Sequence, residues 1–262
     1  MDRQTHTVSS ADGTTLAYDR LGHGPAVVLI SGGPSDRTAN QELAELLSAH
    51  CTVYNYDRRG RGESGDTPPY SAEREYEDLA AVISAAGDSA ALVGNSGTGL
   101  IALEAAARGL PVSRLALWEP PFVVADSRTP IPADWGRYVD ELVQDGRPGD
   151  ALAYWMTTVV EVPAEYVTQM RTEPFWAAME PNAHLLVRDA ALLRDFSLDL
   201  PRVAQVTAPV LVLDGDSIPW VNEGVEALVA ALPNAEHRRL PGQPHDLPMK
   251  VFVEAIAGFL TA

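Results

Sequence analysis

The chain is poor in cysteine and in lysine. Cys51 is the one cysteine in 262 residues, so no disulfide can close within the chain and no cysteine cluster can hold a metal. Placed at the start of an apolar run, it reads as a small buried hydrophobe. Lys250 is the only lysine, and 19 basic residues stand against 36 acidic ones, a formal charge of −17. That field repels polyphosphate backbones and sets nucleic acid aside as a partner; Arg58, Arg59 and Arg61 then read as a turn scaffold and not as a phosphate site. Long apolar runs are missing as well. No stretch is apolar enough to cross a membrane and no charged-then-apolar segment precedes the first strand, so the expectation is a soluble, cytoplasmic protein. Internal repeats are absent, and with 46% hydrophobic residues a chain of this length can bury one large core.

What is present is an alternation of two periodicities. Thr5–Val8 and Leu16–Asp19 flank Asp12-Gly13 as an antiparallel hairpin. Apolar strands at 26–30, 52–56, 90–94, 113–118, 209–214 and 236–240 then alternate with helical stretches, which predicts an α/β fold: a mostly parallel, twisted sheet with helices on both faces. The alternation breaks between Val123 and Leu198, where Pro130, Pro132, Gly146, Pro148, Pro163, Pro174 and Pro181 separate short helices. This predicts a core of residues 1–122 and 199–262 with a helical cap, 123–198, inserted between them. The cap is rich in aromatic and methionine side chains. Trp155, Trp176, Met156 and Met179, with His184, are the candidate substrate-binding residues, although about half of the apolar set is expected only to fix the cap to the core.

Residues 90–97, Ala-Ala-Leu-Val-Gly-Asn-Ser-Gly, run as an apolar strand through Ser96 straight into an alanine-rich helix. A serine on such a strand-to-helix turn is thrust out at the carboxyl edge of the sheet, the layout of a nucleophile elbow. The signature G-x-S-x-G is met except at Thr98, which replaces the second glycine and is expected to crowd the strand–helix contact, with Gly99 relieving part of it. A serine hydroxyl is a weak nucleophile near neutral pH, so it needs a base, a group to orient that base, and donors for a developing oxyanion. Ser31-Gly32-Gly33-Pro34, after the strand at 26–30, exposes main-chain N–H groups; the amides of Gly33 and Gly97 are the candidate oxyanion hole.

Among six histidines, His245 is the candidate base. It lies in Pro241-Gly242-Gln243-Pro244-His245-Asp246, between the last strand and the C-terminal helix, after the serine in chain order. His184, within the helical segment, is the rival. For the acid, the turn after strand 209–214 reads Gly215-Asp216-Ser217-Ile218, and an isoleucine in the usual acid slot cannot orient an imidazole. Asp216 is the alternative acid, though its expected role is to hydrogen-bond its own loop. Glu119 is the preferred acid: it ends strand 113–118, next to the strand that carries Ser96, so both open into one crevice. An ionised glutamate beside Pro120-Pro121 in an apolar segment also needs a partner, which His245 supplies.

At this point the chain resembles the α/β-hydrolase superfamily over nearly its whole length. Asp57-Arg58-Arg59-Gly60-Arg61-Gly62-Glu63-Ser64 is similar to the family's D-x-R-G-x-G-x-S loop, and Trp118-Glu119-Pro120-Pro121-Phe122 and Gly242-Gln243-Pro244-His245-Asp246 resemble segments of small bacterial serine hydrolases. An acid after the strand that follows the elbow helix is also the arrangement in zearalenone lactonases and in one group of haloalkane dehalogenases. The sequence departs from the common pattern at Ser31, Asn95 and Thr98. The resemblance implies a Ser-His-acid hydrolase with no metal or organic cofactor, acting on a small apolar ester or lactone, as a monomer or homodimer. Two alternatives stay open: a non-hydrolytic tailoring enzyme (lyase, cyclase or cofactor-free peroxidase-like) on the same residues, and a ligand-binding protein that has lost turnover.

Overall fold

A strand buried on both faces must send successive side chains into two different cores, and the Val, Leu and Ala runs of this chain do so. The computed structural model describes residues 5–262. Eight strands form one sheet: β1 (Thr5–Ser9), β2 (Thr15–Leu21), β3 (Ala26–Ile30), β4 (Thr52–Tyr56), β5 (Ala90–Asn95), β6 (Val112–Trp118), β7 (Val210–Asp214) and β8 (Ala235–Arg239), in the order β1-β2-β4-β3-β5-β6-β7-β8. β2 pairs antiparallel with both β1 and β4, and the remaining pairs are parallel. Val27, Leu29, Val93, Ala116 and Leu213 face α1 (Gln41–Leu47) and α11 (Met249–Thr261). Their neighbours Val28, Leu92, Leu115, Leu117 and Val212 face α2 (Ala72–Ala85), α3 (Gly97–Ala107) and α10 (Pro219–Ala231).

Between β6 and β7 the chain adds helices only: α4 (Trp135–Gln144), α5 (Pro148–Tyr154), a π-turn at Trp155–Val159, α6 (Ala164–Met170), α7 (Pro174–Met179), a 3-10 turn at Glu180–Leu185, α8 (Leu186–Leu193) and α9 (Leu200–Val203). Leu142, Trp176 and Leu186 of this insertion belong to the same buried cluster as Leu92 and Leu117 of the sheet. The insertion therefore extends one core and does not close around another.

The arginine-rich turn after β4 fastens insertion to sheet. Arg58 makes a two-pronged contact with Glu75 of α2, at 3.0 and 2.9 Å, and reaches Asp189 of α8 at 3.0 Å. Arg61 bonds the same Asp189 oxygen at 2.8 Å, and Arg59 pairs with Asp78 at 2.7 Å. All of these side chains are buried, and buried charges persist only when matched in this way. The turn's glycine spacing has a steric cause. Gly62 has φ +51°, and a Cβ there would lie 2.2 Å from Asp57 Oδ2, an oxygen already engaged by the Glu63 N–H at 2.8 Å. Among the described residues no helix is long and apolar enough to cross a membrane.

Candidate active site

Strand β5 ends at Asn95, and Ser96 turns the chain into α3 with φ +54° and ψ −132°. A non-glycine residue held there costs on the order of 1–3 kcal/mol, which the surroundings must over-determine. They do so through the Ser96 N–H, which donates to Trp118 O at 2.9 Å, and the Ser96 carbonyl, which accepts from Gly99 N–H at 2.8 Å. Close approach of helix to strand rests on Gly94 and Gly99: a Cβ on Gly94 would stand 2.6 Å from Gly99 Cα. The Thr98 side chain, expected to crowd this contact, is directed away from it. Its hydroxyl accepts from the Asn95 N–H at 2.8 Å and donates to the Asn95 carbonyl at 2.9 Å, and its methyl occupies space freed by Gly32, where a Cβ would come within 2.7 Å. Thr98 thus ties the elbow closed from within. Among the described residues the Ser96 hydroxyl makes no hydrogen bond, either to the α3 backbone as a cap or to the His245 ring.

The register Asn95↔Trp118↔Leu213 carries β5, β6 and β7 to one edge, so Glu119 leaves β6 beside Ser96. Glu119 is fully buried and also has a left-handed φ, +41°. Its two carboxylate oxygens are both engaged: Oε1 accepts from the Gly215 N–H at 2.9 Å, and Oε2 lies 2.5 Å from His245 Nδ1. A carboxylate can only accept, so Nδ1 is the protonated nitrogen and Nε2 is left as the acceptor. The loop of His245 is held by Trp118, whose indole Nε1 donates to the His245 carbonyl at 2.9 Å. The ring itself is about one-third exposed, at 34%.

Asp216, the alternative acid, is exposed and does not bond its own loop; it accepts from the Gly242 N–H at 3.0 Å, bracing the histidine loop from outside. Asp214 is buried but committed to β8 and α10: Arg239 reaches it at 2.8 Å, His237 at 3.0 Å and Asn222 at 2.9 Å. Burial pushes its carboxyl up, but the donated bonds from Arg239, Asn222 and His237 outweigh this and hold it below the usual carboxylate range.

Gly33 has φ +56°, and Gly97 opens α3, where a first-turn N–H has no acceptor within its own helix. Each glycine is roofed by the insertion. A Cβ on Gly33 would lie 3.4 Å from the Trp155 ring, and one on Gly97 would lie 3.0 Å from Leu193 Cδ1. Leu193 carried no signal in the sequence beyond its helical spacing. Of the other candidate substrate-binding residues, Met156 and Met179 are half-buried against the core. Trp176, expected to line the pocket, is instead an anchor: 3% exposed, it donates to Glu180 Oε1 at 3.1 Å and packs against Gly149 of α5. His184, also expected there, is exposed, with Nδ1 3.0 Å from the carbonyl of Pro181 in its own turn. A cavity of about 640 Å³ lies on the insertion, lined by Trp135, Val187, Ala190 and Arg194 among others, and none of the strand-edge residues lines it. Among the described residues, no group of three or more His, Cys, Asp or Glu side chains is arranged to hold a metal ion.

Fold and comparison agree at this point. The Alpha/beta hydrolase family profile matches residues 27–256, and the chain belongs to that family. It is 45% identical to an alpha/beta hydrolase from Sphaerobacter thermophilus, whose crystal structure superposes with a TM-score of 0.93 over 97% of this chain and 99% of the other. It is 30% identical to a pimeloyl-[acyl-carrier protein] methyl ester esterase of Xanthomonas campestris pv. campestris, over 88% of this chain and 91% of that one. It is 34% identical to an N-formylmaleamate deformylase of Pseudomonas putida over 60% of this chain, a match that spans 63% of the deformylase.

Proposed function

We propose that the protein is a serine hydrolase that cleaves an ester or lactone through an acyl-enzyme. The reading rests above all on the 2.5 Å contact between His245 Nδ1 and the buried Glu119 carboxylate, at the strand edge where Ser96 occupies a strained turn. Ser96 Oγ attacks the substrate carbonyl and forms the new C–O bond while its proton passes to His245 Nε2. Glu119 holds the imidazole in the accepting tautomer and stabilises the imidazolium. The Gly33 and Gly97 amides hold the oxyanion. As the tetrahedral species collapses, Nε2 returns the proton to the departing alkoxide; water then attacks the acyl-Ser96 ester by the same route reversed. Residues 123–198 act as a cap, and Trp155 and Leu193 give the cleft an apolar wall that favours apolar acyl or alcohol groups. The relatives named for ester hydrolysis and for deformylation are consistent with acyl transfer to water.

The test is activity-based labelling. A fluorophosphonate probe is expected to label the protein at Ser96, and Ser96→Ala should abolish labelling and lower kcat on p-nitrophenyl esters by about a thousandfold or more, with circular dichroism unchanged. Retention of a tenth of the activity, or labelling at another residue, would overturn the assignment; absence of labelling in the wild type would favour a ligand-binding protein.

A further inference from the structure

Among the described residues, arginine side chains that are buried are matched by carboxylates, with one exception. Arg37, Arg58, Arg59 and Arg61 each contact an acidic side chain at 3.1 Å or closer. Arg128 does not. Its side chain is 1% exposed, yet the one carboxylate near it, Glu161, stands 3.7 Å from Nε. Nε donates to Thr129 O at 3.2 Å and Nη2 to Thr158 O at 3.4 Å, while Nη1 is buried without a partner. The guanidinium lies 4.5 Å from the centroid of the Trp220 ring. A cation taken from water costs several kcal/mol unless it is opposed, and a cation–π contact returns only part of that. The field says the same: burial lowers the Arg128 pKa, and the Glu161 charge does not restore it.

The position of this group is specific. Thr158 sits in the π-turn that begins at Trp155, the residue over the oxyanion glycine Gly33. Trp220 is the second residue of α10, a few residues beyond Gly215, whose N–H binds Glu119. Arg128 therefore touches both the π-turn that carries Trp155 and the helix that follows the Gly215 turn. Glu161, at 3.7 Å from Nε, makes no hydrogen bond to the guanidinium, so the open donor Nη1 suits one singly charged carboxylate, and a dianionic phosphoryl group would bring more negative charge than one guanidinium opposes. We propose that Arg128 is a carboxylate-binding subsite of the cleft, so that the preferred substrate is an ester whose otherwise apolar acyl or alcohol part ends in a carboxylate. The proposal rests on the reading of Ser96 as nucleophile for its substrate class, but not for the binding itself.

The experiment compares the p-nitrophenyl monoesters of glutarate and adipate with p-nitrophenyl pentanoate and hexanoate. The wild type should favour the carboxylated ester of at least one chain length by about tenfold or more in kcat/KM, since hydrogen bonds to a charged group are worth roughly 10- to 100-fold. Arg128→Gln should bring that ratio to within about threefold of unity, and Arg128→Lys should retain part of it. Free adipate should inhibit the wild type competitively and bind Ser96→Ala by calorimetry. Equal kcat/KM for both series in the wild type, with no adipate binding to Ser96→Ala, would overturn the subsite while leaving the hydrolase reading intact. Arg128-dependent adipate binding in a protein that cleaves no ester would do the reverse. Should Arg128→Gln fail to fold, the wild-type ratio and the Arg128→Lys ratio decide; an unchanged ratio in Arg128→Lys together with no adipate inhibition refutes the subsite.

Discussion

Exchanging Glu119 for glutamine tests the proposed division of labour at the strand edge with almost no change in volume. In the native site both carboxylate oxygens are spoken for, one by the Gly215 N–H at 2.9 Å and one by His245 Nδ1 at 2.5 Å. Glutamine keeps one acceptor, and the Gly215 N–H will claim it, because a buried N–H left unpaired costs about 1–3 kcal/mol. That turns the amide nitrogen towards Nδ1. Donor then faces donor unless the imidazole shifts its proton to Nε2, and Nε2 can no longer accept from Ser96. Loss of the correct tautomer, together with loss of the charge that steadies the imidazolium, is expected to lower kcat by about 10²–10⁴ with the fold intact. Asp216→Asn is the control. The native contact is an acceptor to the Gly242 N–H at 3.0 Å on an exposed side chain, which asparagine preserves, so its kcat should fall by less than about tenfold. Steady-state kinetics on a p-nitrophenyl ester, with melting curves for each variant, reads both. A kcat for Glu119→Gln within tenfold of wild type, or a larger loss for Asp216→Asn, would refute the assignment of the acid to β6.

The two tryptophans of the insertion should separate in kind. Trp155→Ala is expected to weaken large apolar esters several-fold more than an acetate ester, at about 0.8 kcal/mol for each methylene no longer covered, whereas Trp176→Ala should cost about 3–5 kcal/mol of stability in urea unfolding and act equally on all substrates. Asp189→Ala, which strips one partner from both Arg58 and Arg61, should destabilise the protein by about 3–5 kcal/mol in the same assay, and a loss under 1 kcal/mol would show the turn to be held by Glu75 and packing alone.

The sheet was legible because its signals are local. A Val-Val-Leu-Ile run or a Gly-x-Ser turn is written in consecutive residues, and the expected strands match the observed ones to within two residues at every end. Glu119 was legible for a similar reason: a carboxylate at a strand terminus between apolar neighbours poses a local problem. Partners far away in sequence mostly were not, the Glu119–His245 pair being the exception. Asp189 lies 131 residues from Arg58, and nothing about an aspartate on an amphipathic helix marks it as the shared counter-ion of two core arginines. Trp176 failed for a different reason. Aromatic content on a short helix does not say which face is inward, and only the fit of the ring against Gly149, with its N–H on Glu180, makes it an anchor.

The glycine at 215 explains why this edge accommodates a buried carboxylate from β6. The register sets Trp118 beside Leu213, so the next positions, Glu119 and Asp214, are neighbours, and Gly215 follows against the Glu119 carboxylate. A Cβ at that position would lie 3.1 Å from Glu119 Oε1 and 2.4 Å from the Gln243 carbonyl of the histidine loop. The second distance is shorter than real contacts allow, so any side chain there would push the loop that carries His245 away from β7. A glycine lets the loop descend, its own N–H orients the carboxylate from one side, and His245 meets the same carboxylate from the other. With Ile218 in the later turn and Asp214 spent on Arg239 and His237, β7 contributes a backbone donor to the site, and the buried negative charge comes from its neighbour.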